Sequence, residues 1–147
     1  MSLHLPKRLW SEVEAHASRA YPEECCGALI GPLPQGFERP GREVVVTELA
    51  AFDNAWEAAG RCNRYQVDPV QMGRLERRLL GTGTGIVGYY HSHPDVPDWP
   101  SPFDLMLAWP CCSYLIVSVV GAKARSARSW MRSEDGREFL NEPFSIS

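Results

Sequence analysis

Residues 91–104 of this 147-residue chain read His91-Ser-His93-Pro-Asp-Val-Pro-Asp-Trp-Pro-Ser101-Pro-Phe-Asp104. The apolar pattern of residues 86–93 predicts a strand that ends in this stretch. Residues two apart on a strand project from the same face, so His91 and His93 present two imidazole rings to one point. Ser101-Pro102 then opens a short predicted helix that Pro110 closes. The first turn of that helix carries Asp104.

Two imidazoles and one carboxylate form a ligand set that zinc accepts. If the proline-rich loop folds the helix back, Asp104 supplies an oxygen as the third ligand. Three protein ligands leave the fourth tetrahedral position to water, which is typical of a catalytic zinc site. Each piece also has a plainer interpretation. Histidines near the end of a strand are common on protein surfaces, and Ser101-x-x-Asp104 resembles a helix capping box.

Hydrophobic spacing outside this stretch predicts further elements. A first helix is expected over residues 6–20, ended by Pro22, with His4 and His16 as surface residues of that segment. Asp68-Pro69 is typical of a helix N-cap followed by proline, and Gly81 of its C-terminal end. Asp135-Gly136 is typical of a tight turn between two terminal strands. Strands are predicted over residues 25–31, 44–47 and 114–120, a Pro- and Gly-rich loop over 31–41, and no assignment is made for 50–66.

This order of elements is helix, strands, helix, strand, helix and strands, without a linker, a repeat or a low-complexity tract. It predicts a single α/β domain over residues 1–147, with a central mixed β-sheet flanked by helices.

Charge and hydropathy exclude two classes of partner. The net charge is -3 and the sequence pI about 5.8, and no basic stripe of the kind found in nucleic-acid-binding proteins is present. The densest basic segment, residues 123–128, is interpreted as a solvated strand edge. No apolar run is long enough for a membrane span or a signal peptide, so we expect no membrane partner and a cytoplasmic location.

The chain has five cysteines and no C-x-x-C pair. Adjacent cysteines on a strand point to opposite faces, so neither Cys25-Cys26 nor Cys111-Cys112 converges on one metal. We interpret the five cysteines as reduced, buried thiols that act as small apolar residues, with a catalytic thiol as the alternative.

The spacing H-x-H, seven residues, Ser, two residues, Asp resembles the motif of the JAMM, or MPN-plus, zinc metallopeptidases. That family also has a distant upstream glutamate, and residues 24–31, Glu-Cys-Cys-Gly-Ala-Leu-Ile-Gly, resemble the segment that bears it. The resemblance continues through residues 67–69, 88–94 and 113–118, in the family's order and over most of the chain.

The resemblance implies a single MPN (JAMM) domain and a role for each matching position. One zinc ion per chain would be bound by His91, His93 and Asp104. Glu24 would be the general acid/base, because the family places its glutamate three residues before the glycine. Chemistry alone leaves Glu23 open as a competing carboxylate. Ser101 would donate a hydrogen bond to the oxyanion.

The resemblance also suggests a substrate. Compact bacterial members act after the C-terminal glycines of ubiquitin-like sulfur-carrier proteins, for example releasing cysteine, and this short chain resembles that group. A zinc peptidase acting on phage or cell-wall peptides and a non-catalytic MPN-type scaffold are the alternatives. Asp98-Trp99 departs from relatives that often have a smaller residue first, and Trp99 either guards the cleft or packs the loop. The sequence does not indicate an oligomeric state.

Overall fold

The computed structural model describes residues 2–33 and 43–147. These residues form three α-helices, a short 3-10 helix over Ala58–Gly60 and nine strands. The helices are α1 (Lys7–Ala20), α2 (Pro69–Leu79) and α3 (Pro102–Leu107). The strands are β1 (Ser2–Leu5), β2 (Cys26–Pro32), β3 (Glu43–Val45), β4 (Glu48–Phe52), β5 (Thr84–Pro94), β6 (Ser113–Val120), β7 (Lys123–Arg132), β8 (Phe139–Glu142) and β9 (Phe144–Ile146).

The central sheet is mixed, as the sequence predicts. Six of its strands follow the order β4-β2-β5-β6-β7-β8. β5 and β6 are parallel, whereas the other neighbouring pairs are antiparallel. β2 and β5 lie close together at Gly27, where a Cβ would overlap the ring of Tyr90. The longest strand, β5, has β2 on one side and β6 on the other, and the histidine pair lies at its C-terminal end.

Helices cover both faces of this sheet. Leu9, Val13 and Ala17 of α1 pack against one face, together with alternate residues of β6 such as Leu115 and Val117. Two buried leucines of α2 pack on the other face, against Cys26, Ala28, Ile30 and Phe52. The period of two along the strands separates the two cores, because neighbouring residues of one strand belong to different clusters. His91 pairs with Cys26 in register, so the histidines lie on the α2 face.

A second, three-stranded sheet of order β3-β1-β9 was not predicted. Leu5 ends β1, and Pro6, where the predicted first helix begins, is the residue before α1. His4 also lies in β1, where its ring nitrogens bond the hydroxyls of Ser145 and Ser147. Both flanking strands pair with β1 in parallel, and one of them lies at the far end of the chain, a pairing that local periodicity cannot reveal.

Several other expectations are confirmed. Asp68 caps α2 by accepting bonds from two backbone N–H groups, and Gly81, with φ 74°, follows its end. Asp135-Gly136 lies in the turn between β7 and β8. Residues 123–128 lie on β7, largely exposed, beyond the part that pairs with β8. Most of the predicted loop over residues 31–41 falls outside the described residues.

Two expectations about side chains are wrong. His16 is half-buried, and its Nδ1 lies 2.8 Å from the hydroxyl of Tyr90. Only two of the five cysteines, Cys25 and Cys26, are buried; the others lie at turns, with Cys62 and Cys111 exposed. The buried pair does point to opposite faces of the sheet, one side chain in each core cluster. None of the helices within the described residues is long and apolar enough to cross a membrane.

Candidate active site

The structure brings His91, His93 and Asp104 together at the end of β5. The two Nε2 atoms lie 3.1 Å apart. Asp104 places Oδ1 3.3 Å from His91 Nε2 and Oδ2 3.2 Å from His93 Nε2. All three side chains are buried. The two imidazole nitrogens and the carboxylate therefore converge on one point, as the spacing of the sequence motif predicts.

The loop between the histidines and α3 is anchored at several points, and this brings Asp104 back to β5. Asp95 adopts a left-handed conformation with φ 59°, and its N–H donates to the Val119 carbonyl. The indole Nε1 of Trp130 donates to the carbonyl of Asp98 at 3.0 Å. The buried Asp98 carboxylate also pairs with Arg128, at 3.3 Å. Strands β6 and β7 thus hold the proline-rich loop in place.

Trp99, which either guards the cleft or packs the loop, belongs to this proline-rich segment. It is exposed, with its ring centroid 5.0 Å from that of Trp130 and the Arg128 guanidinium 5.2 Å from its own ring centroid. These contacts fit the packing interpretation, and a gating role stays a hypothesis.

Ser101 and Asp104 form the capping box that their spacing suggests. The Ser101 hydroxyl accepts from the Asp104 N–H at 3.1 Å, and the Ser101 N–H donates to Asp104 Oδ2 at 2.8 Å. Asp104 is consequently fixed by its own helix terminus. The capping bond uses the Ser101 oxygen as an acceptor, which leaves the hydroxyl proton available to donate elsewhere.

Of the two neighbouring glutamates, only Glu24 reaches this cluster. It is buried just before β2, and its Oε1 lies 3.8 Å from His93 Nε2. Ligand atoms of Glu24, His91 and His93 all lie within 4.8 Å of one another. Glu23 faces outward, partly exposed, 3.9 Å from Arg61.

Burial and neighbouring charges shift the ionisation of all four groups. Burial raises the pKa of Glu24 to about 8, against the opposing effect of His93. Burial lowers the pKa of His91, which favours a neutral ring. Burial also acts to lower the pKa of His93, but bonds to Asp104 and to the Pro97 carbonyl leave it raised. Burial acts to raise the pKa of Asp104, but the two histidines hold it well below its usual range.

The donor set fits a metal ion. His93 Nδ1 lies 2.8 Å from the Pro97 carbonyl, so it carries the proton and leaves a lone pair on Nε2. That lone pair faces a carboxylate oxygen of Asp104 and His91 Nε2, an arrangement that a proton or a cation must stabilise. A tetrahedral ion with ligands about 2.0–2.1 Å away holds them about 3.3 Å from one another. The separations of 3.1, 3.2 and 3.3 Å are close to this spacing, with Oδ1 of Asp104 facing His91 and Oδ2 facing His93.

Three residues of segment 50–66, for which the sequence predicts no helix or strand, support the site. Sequence reasoning did not identify them. Tyr65 stacks on His91 with ring centroids 4.5 Å apart. Asn54 donates from Nδ2 to the carbonyls of Glu24 and Arg64, both at 3.0 Å. The Arg64 guanidinium lies 4.6 Å from the centroid of the Phe103 ring, beside Asp104 in sequence. No periodic pattern marks these positions, because they lie on irregular chain around a 3-10 turn.

Comparison with known proteins agrees with the resemblance. A family described as prokaryotic homologs of the JAB domain matches residues 6–133. The CysO-cysteine peptidase of Mycobacterium tuberculosis is 32% identical over 133 residues, covering 90% of this chain and 82% of the relative. The probable TtuB-protein conjugate cleaving protease of Thermus thermophilus is 29% identical over 122 residues, covering 83% and 74%.

The fold is similar to a solved structure as well. The solution structure of a protein from Desulfitobacterium hafniense matches with a TM-score of 0.79 and 28% identity, covering 99% of this chain and 92% of that chain. The JAMM/MPN-plus resemblance and the α/β class with a central mixed sheet flanked by helices are thereby confirmed. The chain belongs to the family of prokaryotic JAB-domain proteins.

Proposed function

We propose that this protein is a zinc-dependent peptidase that hydrolyses the amide bond after the C-terminal glycines of a ubiquitin-like sulfur-carrier protein. The observation that carries the proposal is the convergence of two imidazole nitrogens and the two oxygens of the Asp104 carboxylate, at separations of 3.1–3.3 Å, with the buried Glu24 carboxylate beside them. Metal-assisted peptide hydrolysis needs an electrophilic centre, which a metal ion held by these side chains would supply, and a proton carrier, for which Glu24 is suited.

One zinc ion would be held by His91, His93 and Asp104. When bound, zinc supplies a Lewis acid that polarises the scissile carbonyl and makes a neighbouring water more acidic. The chain prepares its ligands for this: Pro97 fixes the tautomer of His93, Tyr65 stacks on His91, and the capping box orients Asp104.

Glu24 would carry the proton. Its carboxylate accepts the proton of the attacking water and delivers it to the leaving amine, so that a carboxylic acid and a free amine result. Burial favours the protonated form that must exist between these two steps. A nearby cation would favour the ionised form that begins the reaction. Ser101, whose hydroxyl proton is not used in capping, would donate to the oxyanion.

The surface beside the site suits a protein substrate. Met106, Leu107 and Trp109 are exposed at the end of α3, one turn or so beyond Asp104. An adjoining pocket of about 240 Å³ is lined by Tyr65, Leu107 and Trp109, among others. Clustered apolar surface of this kind is typical of interaction sites. The relative from Mycobacterium tuberculosis acts on CysO-cysteine, which supports a small carrier as the substrate class.

Cleavage of carrier fusions tests this function. Ubiquitin-like sulfur carriers, extended past the terminal glycines by cysteine or a short peptide, should be cut after the last glycine. A chelator should stop the reaction and added zinc should restore it, whereas thiol alkylation should have no effect. Loss of activity on alkylation with the metal still bound would indicate a cysteine enzyme. Indifference to every carrier would favour another peptide substrate or a scaffold.

We also propose a cytoplasmic location. It is supported by Cys25 and Cys26, which are buried free thiols, because cytosolic proteins keep their cysteines reduced.

A further inference from the structure

A half-buried arginine stands beside the proposed proton carrier. The Arg64 guanidinium packs on the ring of Phe103, the residue before Asp104, at 4.6 Å from the ring centroid. Its backbone carbonyl shares the Asn54 amide with the carbonyl of Glu24. Its charge acts to lower the pKa of Glu24, although burial, the larger effect, leaves that pKa raised. Arg64 is thus tied to the site through two independent contacts.

The hydrogen-bonding capacity of Arg64 is largely unused. Within residues 2–33 and 43–147, its side chain makes one hydrogen bond, from Nη1 to the adjacent Asn63 carbonyl at 2.8 Å, and no ion pair. Two other arginines near the site, in contrast, have an acidic partner. Arg61 donates to the Trp56 carbonyl and faces Glu23, and Arg128 pairs with Asp98. A guanidinium has five N–H donors in a planar fork, and the ring of Phe103 restricts where that fork can point.

We propose that Arg64 binds the α-carboxylate of the leaving group, so that the enzyme prefers carriers extended by a single C-terminal amino acid. This inference rests on the proposed function and names its substrate class. In such a substrate the leaving nitrogen and the free carboxylate are bonded to the same carbon. The Arg64 guanidinium, which lies on the same side as Glu24, the group that protonates the leaving amine, is therefore placed to bind that carboxylate. Arginine binds carboxylates through paired, charge-assisted hydrogen bonds.

An isopeptide-linked lysine offers no such anion. Its leaving nitrogen lies at the end of the side chain, four methylene groups from the α-carbon, and its own carboxyl group is part of a peptide bond. A longer peptide extension likewise has an uncharged carbonyl where the single residue has a carboxylate. Arg64 consequently discriminates between substrates by the charge of the leaving group and not by the identity of the carrier.

The test compares two substrates that differ only in that charge. A carrier ending in Gly-Gly-Cys with a free carboxylate is compared with the same carrier ending in a cysteine carboxamide, and kcat/KM is measured for both. The wild-type protein should prefer the free acid by roughly 10- to 100-fold, the scale of a charge-assisted hydrogen bond. Arg64→Gln should reduce this ratio towards one, mainly through KM. Arg64→Lys should retain part of it.

Arg74, an exposed arginine on α2, provides the matched control, and Arg74→Gln should keep the wild-type ratio. Because the result is a ratio, a general loss of stability or metal in Arg64→Gln does not imitate it. Equal cleavage of acid and amide by the wild type, or an unchanged ratio in Arg64→Gln, would overturn the inference while leaving the peptidase intact. Cleavage of neither substrate by the wild type would overturn the proposed function and this inference with it.

Discussion

The Nε2 atom of His93 lies 3.2 Å from Oδ2 of Asp104, and the Pro97 carbonyl holds the ring proton on the opposite nitrogen. Two lone pairs therefore face each other inside a buried site. A proton on His93 satisfies them, which agrees with the raised pKa of that ring. A divalent cation can take the proton's place, so metal binding at this site should release protons and weaken at low pH.

Metal content is the first expectation. Protein purified without chelators should contain about one zinc per chain, and His93→Ala or Asp104→Ala should lower this sharply, because each removes one of three converging ligands. His16→Ala is the matched control, since its ring bonds Tyr90 on the other face of the sheet. Elemental analysis gives the result. Equal zinc in the wild type and both ligand variants would contradict the site.

Ser101 should matter more for turnover than for folding. Ser101→Ala should cost about 1 kcal/mol of stability, as for a lost N-cap, but roughly 10²–10³-fold in kcat, as for a lost oxyanion donor. Asp68→Ala is the control, because the Asp68 side chain caps a different helix, α2, by accepting from the N–H groups of Val70 and Gln71. Both variants should keep their zinc. If the two variants lose the same small amount of activity, Ser101 serves only as a cap.

Asn54 should hold Glu24 in place. Its amide donates to the carbonyls of Glu24 and Arg64 and accepts from the N–H groups of Trp56 and Gln66. Asn54→Ala should lower kcat by roughly 10- to 100-fold with zinc retained, because small displacements of a reacting group are costly. Gln71→Ala removes a comparable amide, which among the described residues bonds only Asp53, and should leave kcat unchanged. An unaffected kcat in Asn54→Ala would contradict this positioning role.

The contribution of Glu24 to the stability of the metal-free protein should fall as pH rises. Burial raises the pKa of Glu24 from 4.5 to about 8. Between these values the folded state holds a proton that the unfolded state has lost, so stability falls with increasing pH, by at most about 1.4 kcal/mol per pH unit. Glu24→Gln lacks this titration. Denaturant unfolding in the presence of a chelator measures the free energy of unfolding of both proteins. Between about pH 5 and 8, that of Glu24→Gln should rise relative to that of the wild type. A difference that does not change with pH would contradict the burial argument.

The histidine pair could be predicted because it depends only on the period of a strand. His91 and His93 lie two apart, and the strand's length and apolar character were evident in residues 86–93. The capping box was equally local, since Ser101 and Asp104 bond each other across three positions. Such features need no knowledge of the rest of the chain.

The return of α3 to β5 could not be derived in the same way. It depends on contacts such as Trp130 with Asp98, 32 positions apart in the chain, and on the left-handed Asp95. Asn54 and Arg64 could not be predicted either, because their roles depend on irregular chain that packs beside β2. The resemblance to a family, and not periodicity, supplied Glu24, whereas Asp104 was a candidate ligand from its position in the predicted helix.

The most direct test of the account is the turnover of Glu24→Gln on a carrier ending in Gly-Gly-Cys, measured together with its zinc content. The amide has nearly the size of the carboxylate and can still bond a water, but it cannot accept a proton. Zinc should stay near one per chain while kcat falls by roughly 10²–10⁴-fold, and Glu23→Gln, on the exposed neighbour, should remain active. A zinc-loaded Glu24→Gln protein that turns over like the wild type would contradict the mechanism.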